Sequence, residues 1–100
     1  MKLLANALLL SLLVLAPVAC SSDEETLCDL ECDCEGCNDF TYGNCLNSYD
    51  ERLRRAEIRG CPDFYDDWVA CREATAFCDF DFDIEFRCGP ERSRLDACID

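Results

Sequence analysis

Sulfur constrains this chain more than any other feature. Ten cysteines fall between Cys28 and Cys98, and an eleventh, Cys20, follows an apolar leader. Nine residues separate Cys61 from Cys71, and nine separate Cys88 from Cys98. On a helix that separation is about three turns, or ~15 Å. Two such helices laid antiparallel bring Cys61 opposite Cys98 and Cys71 opposite Cys88. The spacing therefore predicts a helical hairpin bolted at both ends.

Covalent bonds are needed because the core is thin. Past Cys20, 34 of 80 residues are apolar and 10 of those are cysteines. A domain of this size gains only ~3–5 kcal/mol from its core. Five disulfides, each contributing ~2–4 kcal/mol, make up the deficit. Such bonds form in oxidising compartments, which implies export.

The leader agrees. Met1-Lys2 is a short basic start, and Leu3 to Ala16 is apolar except for Asn6 and Ser11. Residues 1–20 read as a signal peptide, too short to span a bilayer comfortably. Pro17-Val18-Ala19-Cys20-Ser21-Ser22 resembles the lipobox of bacterial lipoproteins, although Pro17 stands where that family has Leu. The resemblance implies cleavage before Cys20 and lipidation of its sulfur, with 21–27 as a solvated tether. Parity is compatible, since either lipidation or removal of Cys20 leaves an even number of cysteines. A lipidated Cys20 places the protein at the cell envelope. Cleavage after it would release a soluble extracellular chain instead.

Charge excludes some partners. All 22 acids lie after Cys20 against 8 arginines, a balance of −14. A nucleic-acid surface needs a basic patch, so nucleic acid is not the expected partner. Anionic lipid is disfavoured equally, leaving the membrane accessible only through a lipid on Cys20. A basic protein surface would suit the charge, but the sequence names no partner.

The segment 28–40 carries Cys28, Cys32, Cys34 and Cys37 among acids and Gly36. It reads as irregular, with at most one helical turn starting near Glu24, and its four cysteines are expected to pair internally. Their spacing is not that of a zinc ribbon, so no metal is expected. Cys34-Glu35-Gly36-Cys37 is formally a Cys-x-x-Cys motif. Its acidic neighbours raise rather than lower a thiol pKa, which argues against redox chemistry.

From Thr41 the period becomes helical. Tyr42, Cys45, Leu46, Tyr49, Leu53 and Ala56 share one face, and Gly60 closes the helix. Asp50 with Arg54 and Glu51 with Arg55 have the spacing of helical ion pairs. Arg52, Arg54, Arg55 and Arg59 crowd the same end. Together they could bind a carboxylate or phosphate, but in so acidic a chain they are first internal counter-ions. Pro62 opens a second helix whose face carries Cys61, Phe64, Trp68, Cys71, Thr75 and Cys78, with Phe64 and Trp68 as core. Between Asp79 and Arg87, aromatic and acidic residues alternate, an extended connector whose aromatics pack on the helices. Asp79-x-Asp81-x-Asp83 resembles the start of an EF-hand loop. Ile84 and Pro90 replace that family's Gly and Glu, so a true EF-hand is rejected. A last helix follows Pro90, burying Glu91, Leu95, Cys98 and Ile99.

The expected fold is all-α: a disulfide-stapled bundle of about three helices, 41–59, 62–78 and 89–99, behind an irregular Cys-rich segment. Cys45 and Cys78 lie at similar depths from the turn at Gly60, so they are expected to pair. The twin Cys-x9-Cys spacing over 61–98 is similar to that of coiled-coil-helix-coiled-coil-helix proteins. The likeness implies a doubly bolted hairpin and carries no function. No histidine, phosphate loop or nucleophile elbow is present, and no acid pair is marked by spacing. The reading is non-catalytic and without cofactor, in binding or envelope structure. A secreted disulfide-rich effector or inhibitor is the alternative.

Overall fold

The computed structural model describes residues 22–100. The leader and Cys20 lie outside the described residues. Among the described residues the fold is all-α in essence, with four helices and one two-residue-stranded hairpin.

The first helix, α1 (Asp23–Glu35), occupies the segment expected to be tether and irregular chain. Its start signal was present in the sequence. Ser22 Oγ accepts from Glu25 N at 3.1 Å, and Asp23, Glu24 and Glu25 sit at the positive end of the dipole. Leu27, Cys28 and Cys34 form its buried stripe. Four cysteines in ten residues obscured that helical period. Gly36, at φ +77°, ends the helix in a conformation that disfavours other residues.

Helix α2 (Asp39–Ile58) begins two residues earlier than expected because Asn38 and Thr41 form a reciprocal capping box. It ends in a Schellman turn. Cys61 N–H donates to Ala56 O, Gly60 N–H donates to Glu57 O, and Gly60 has φ +79°.

Helix α3 (Pro62–Thr75) buries Tyr65, Trp68 and Val69. The buried face is rotated from the one expected, and Phe64 is 38% exposed. The helix stops at Thr75 rather than at residue 78, where Ala76 turns the chain extended.

The connector folds back on itself. Strand β1 (Phe77–Cys78) pairs antiparallel with β2 (Ile84–Glu85), Phe77 opposite Glu85 and Cys78 opposite Ile84. The Asp79 carboxylate shapes the turn by accepting from Asp81 N and Asp83 N, both at 2.9 Å. Of the aromatics expected to pack on helices, only Phe86 does so. Phe80 and Phe82 stand in solvent at the tip.

Helix α4 (Gly89–Ile99) matches its expected span and buries Leu95 and Ile99. The core joins Leu27, Tyr49, Ala56, Tyr65, Trp68, Val69, Leu95 and Ile99 with Cys28 and Cys88.

Five disulfides bind these parts. Cys61–Cys98 and Cys71–Cys88 pair as the equal spacings require. Cys45, however, bonds to Cys28, and Cys78 bonds to Cys34. Only Cys32–Cys37 stays within the N-terminal cluster. The expected Cys45–Cys78 bond fails because α1 is a full helix. It folds back on α2 across the turn at Gly36 and takes the position opposite Cys45. Such a set of bonds belongs to an oxidising environment. Among the described residues, no helix is long and apolar enough to cross a membrane.

Candidate functional site

All four helices contribute to one open cleft of about 360 Å³. Helix α1 supplies Glu31, α2 supplies Tyr49 and Arg52, α3 supplies Trp68 and Arg72, and α4 supplies Arg92. Three cations thus line one depression in a chain that carries a large acidic excess.

The three arginines are held differently. Arg52 NH1 pairs with Asp96 Oδ1 at 3.1 Å, and Arg92 Nε pairs with Asp96 Oδ2 at 3.2 Å. One carboxylate therefore spans two guanidinium groups and fixes both at the rim. Arg72 sits deeper. Its Cζ lies 3.7 Å from the Phe86 ring centroid, 4.7 Å from that of Trp68 and 5.7 Å from that of Tyr49. Aromatic faces attract a cation through their quadrupoles, so three rings hold Arg72 where a carboxylate usually would. Among the described residues, no carboxylate lies within ion-pair distance of Arg72.

Two polar atoms in this place are buried without a hydrogen-bond partner: Tyr49 Oη and Arg72 Nε. Tyr49 is 5% exposed. Buried donors left unpaired are uncommon and each costs about 1–3 kcal/mol. Burial pushes the Tyr49 phenol up from its ordinary pKa, with Arg72 opposing, so it stays a protonated donor. Burial pulls the Arg72 guanidinium down. Tyr49 and Glu31 oppose that shift, and the like charge of Arg92 adds to it. Burial likewise pushes the Glu31 carboxyl up; Arg72 counters and Glu35 reinforces.

Glu31 is turned toward sulfur, its Oε2 lying 2.8 Å from Cys45 Sγ. Cys28, Glu31 and Cys45 are close enough to suggest a metal site. The two sulfurs are bonded to each other, however, and neither can offer a thiolate.

The arginine cluster visible in the sequence is dispersed. Arg52 joins the cleft. Arg55 instead donates to Asp100 Oδ1 and the Ile99 carbonyl, both at 3.1 Å. Both act as counter-ions between helices, in place of the pairs expected within α2. Arg54 and Arg59 are exposed. Arg72 and Arg92 were not singled out, because nothing local connects them to Arg52. Their only sequence signal is that they are basic residues in an acidic chain.

The Asp79-Asp81-Asp83 run is a turn former, as the Asp79 hydrogen bonds show. Beside it, Leu30, Cys34, Phe77 and Ile84 line an apolar groove of about 220 Å³. The hairpin is moored by Ile84 N donating to Glu35 Oε2 at 3.0 Å and Arg87 N donating to Thr75 Oγ1 at 3.0 Å. No protein-family model matches the chain, and neither does a curated protein or a solved structure.

Proposed function

We propose that this is an exported, non-catalytic binding protein, held at the cell envelope by a lipid on Cys20. One observation carries the reading. All ten cysteines from Cys28 onward are consumed in five disulfides, which leaves Cys20 as the odd sulfur. A lone cysteine at the end of an export leader, preceded by Ala19, is where a lipid would be attached. An N-acyl chain added to a diacylglyceryl group gives more than the two chains that stable anchoring requires.

The cleft supports binding rather than turnover. Its groups are fixed cations, aromatic faces and a phenol kept protonated, all suited to holding a ligand. Intact mass of the protein extracted from membranes tests the proposal. The expected mass is that of a chain starting at Cys20, with one S-diacylglyceryl group, one N-acyl chain and two hydrogens fewer for each of five disulfides. A soluble chain beginning after Cys20, recovered from the medium, would overturn the anchor and favour the secreted effector. A free thiol at Cys20 would also overturn it.

A further inference from the structure

We infer that the cleft between Arg52, Arg72 and Arg92 binds a small molecule through an oxyanion, a carboxylate or phosphate group. The inference deepens the binding half of the reading above and does not depend on the lipid.

The ordinary explanation of these arginines is internal neutralisation. It accounts for Arg52 and Arg92, which share Asp96. It does not account for Arg72. Twenty-two acids are available to this chain, yet none of the described ones comes within ion-pair distance of that guanidinium. The nearest carboxylate in the cleft, Glu31, acts on Arg72 through space but does not form an ion pair with it. A buried cation faced by Arg92 and carrying a partnerless Nε–H is stabilised by an anion arriving from solution.

Donors converge to match. Arg72 Nε–H and the Tyr49 hydroxyl are both buried, neither has a partner in good hydrogen-bonding geometry, and the two side chains lie close enough to influence each other; Tyr49 is more than nine-tenths enclosed. Asn44 and Ser48 line the same cleft from α2. Three guanidinium groups against Asp96 and Glu31 leave a local surplus of one positive charge. The volume, about 360 Å³, suits a small molecule and not a macromolecular segment. Phe86 and Trp68 hold the Arg72 guanidinium in place, and a guanidinium matches a planar or tetrahedral oxyanion through its N–H groups.

Trp68 is the protein's single tryptophan and lies beneath Arg52 and Arg72, so it reports on the cleft directly. The mature protein is titrated with sodium phosphate and, separately, with sodium benzoate, each against sodium chloride at equal ionic strength. A saturable change in Trp68 emission is expected with at least one anion and not with chloride. Response to phosphate alone identifies a phosphate-type ligand, and response to benzoate identifies a carboxylate on an apolar body. Arg72→Gln and Arg92→Gln should each weaken binding about tenfold or more, and exposed Arg59→Gln should leave it unchanged. Arg92 is half exposed, so its variant retains the test if Arg72→Gln does not fold. No saturable response to either anion overturns the inference. So does an equal loss in Arg59→Gln, which would mark general charge attraction. Neither failure touches the membrane-mass result, so the anchor and the cleft are judged separately.

Discussion

Removing the Cys34–Cys78 bond tests how this fold is held together. It links the end of α1 to the hairpin across 44 residues of sequence, the longest span of the five. The Cys32–Cys37 bond, beside it in the chain, spans 5. If disulfides act by restricting the unfolded chain, closing the longer loop contributes about 4 kcal/mol and the shorter about 2. Cys34→Ala with Cys78→Ala should therefore cost about 2 kcal/mol more than Cys32→Ala with Cys37→Ala. With a urea slope of about 1 kcal/mol/M for so small a domain, the two midpoints should differ by roughly 2 M. Circular dichroism and Trp68 emission, both followed in urea without reductant, measure this. The contacts of Glu35 with Ile84 N and of Thr75 with Arg87 N remain in the first variant, so the hairpin still has a docking place. Equal midpoints, or a larger loss from the short loop, would refute the chain-entropy account. Peptide mapping that joined Cys45 to Cys78 would refute the pairing itself.

Three further outcomes follow from individual residues. Glu31 holds its proton more tightly folded than unfolded, so its contribution to stability is full below the ordinary value of 4.5 and falls as pH rises through the raised one. Arg72 opposes that shift, Glu35 reinforces it and the Tyr49 phenol lies close by; Glu31→Gln should remove this leg of the pH–stability curve, and an unchanged difference between the two proteins from pH 4 to 7 would refute it. Arg72→Met keeps volume, loses the cation–π contacts and relieves a buried unpaired charge, so urea unfolding should show a change within about 1 kcal/mol. A loss above about 2 kcal/mol would make Arg72 a structural residue first. Phe82 sits at φ +60° with 70% of its surface exposed, and Phe82→Gly should be neutral or stabilising by up to about 1 kcal/mol; a clear loss would show that the ring supports the hairpin.

How much was legible depended on range. Cys61–Cys98 and Cys71–Cys88 were readable because two equal helical spacings meet when their helices lie antiparallel. The same logic applies to Cys28 and Cys45, which flank the Gly36-Cys37 turn at equal depth. It was missed because the cluster of sulfurs and acids concealed α1, despite the Ser22-x-x-Glu25 start signal. Cys34–Cys78 had no comparable signal. It depends on a hairpin whose strands are only two residues long docking against a distant helix end. The cleft was less legible still. Arg52, Arg72 and Arg92 lie on three helices, and their meeting is decided by how those helices pack. Phe86 was expected to pack on helices, but that its ring would cover a guanidinium could not be read from alternation.

The covalent network also explains how a small core tolerates such a cleft. Two unpaired buried donors and a left-handed Phe82 each cost about 1–3 kcal/mol, a large share of what a core this size supplies. Cross-links that raise the free energy of the unfolded chain offset those costs without filling the cleft. Folding and cleft should consequently disappear together. Under graded reductant, helical circular dichroism and the anion response of Trp68 are expected to fall over the same range, as bonds joining α1 to α2 and α3 to α4 open. Helicity that persists after every disulfide is reduced, with a cooperative melt, would show that buried side chains alone suffice. The cleft's unpaired groups would then need another source of compensation.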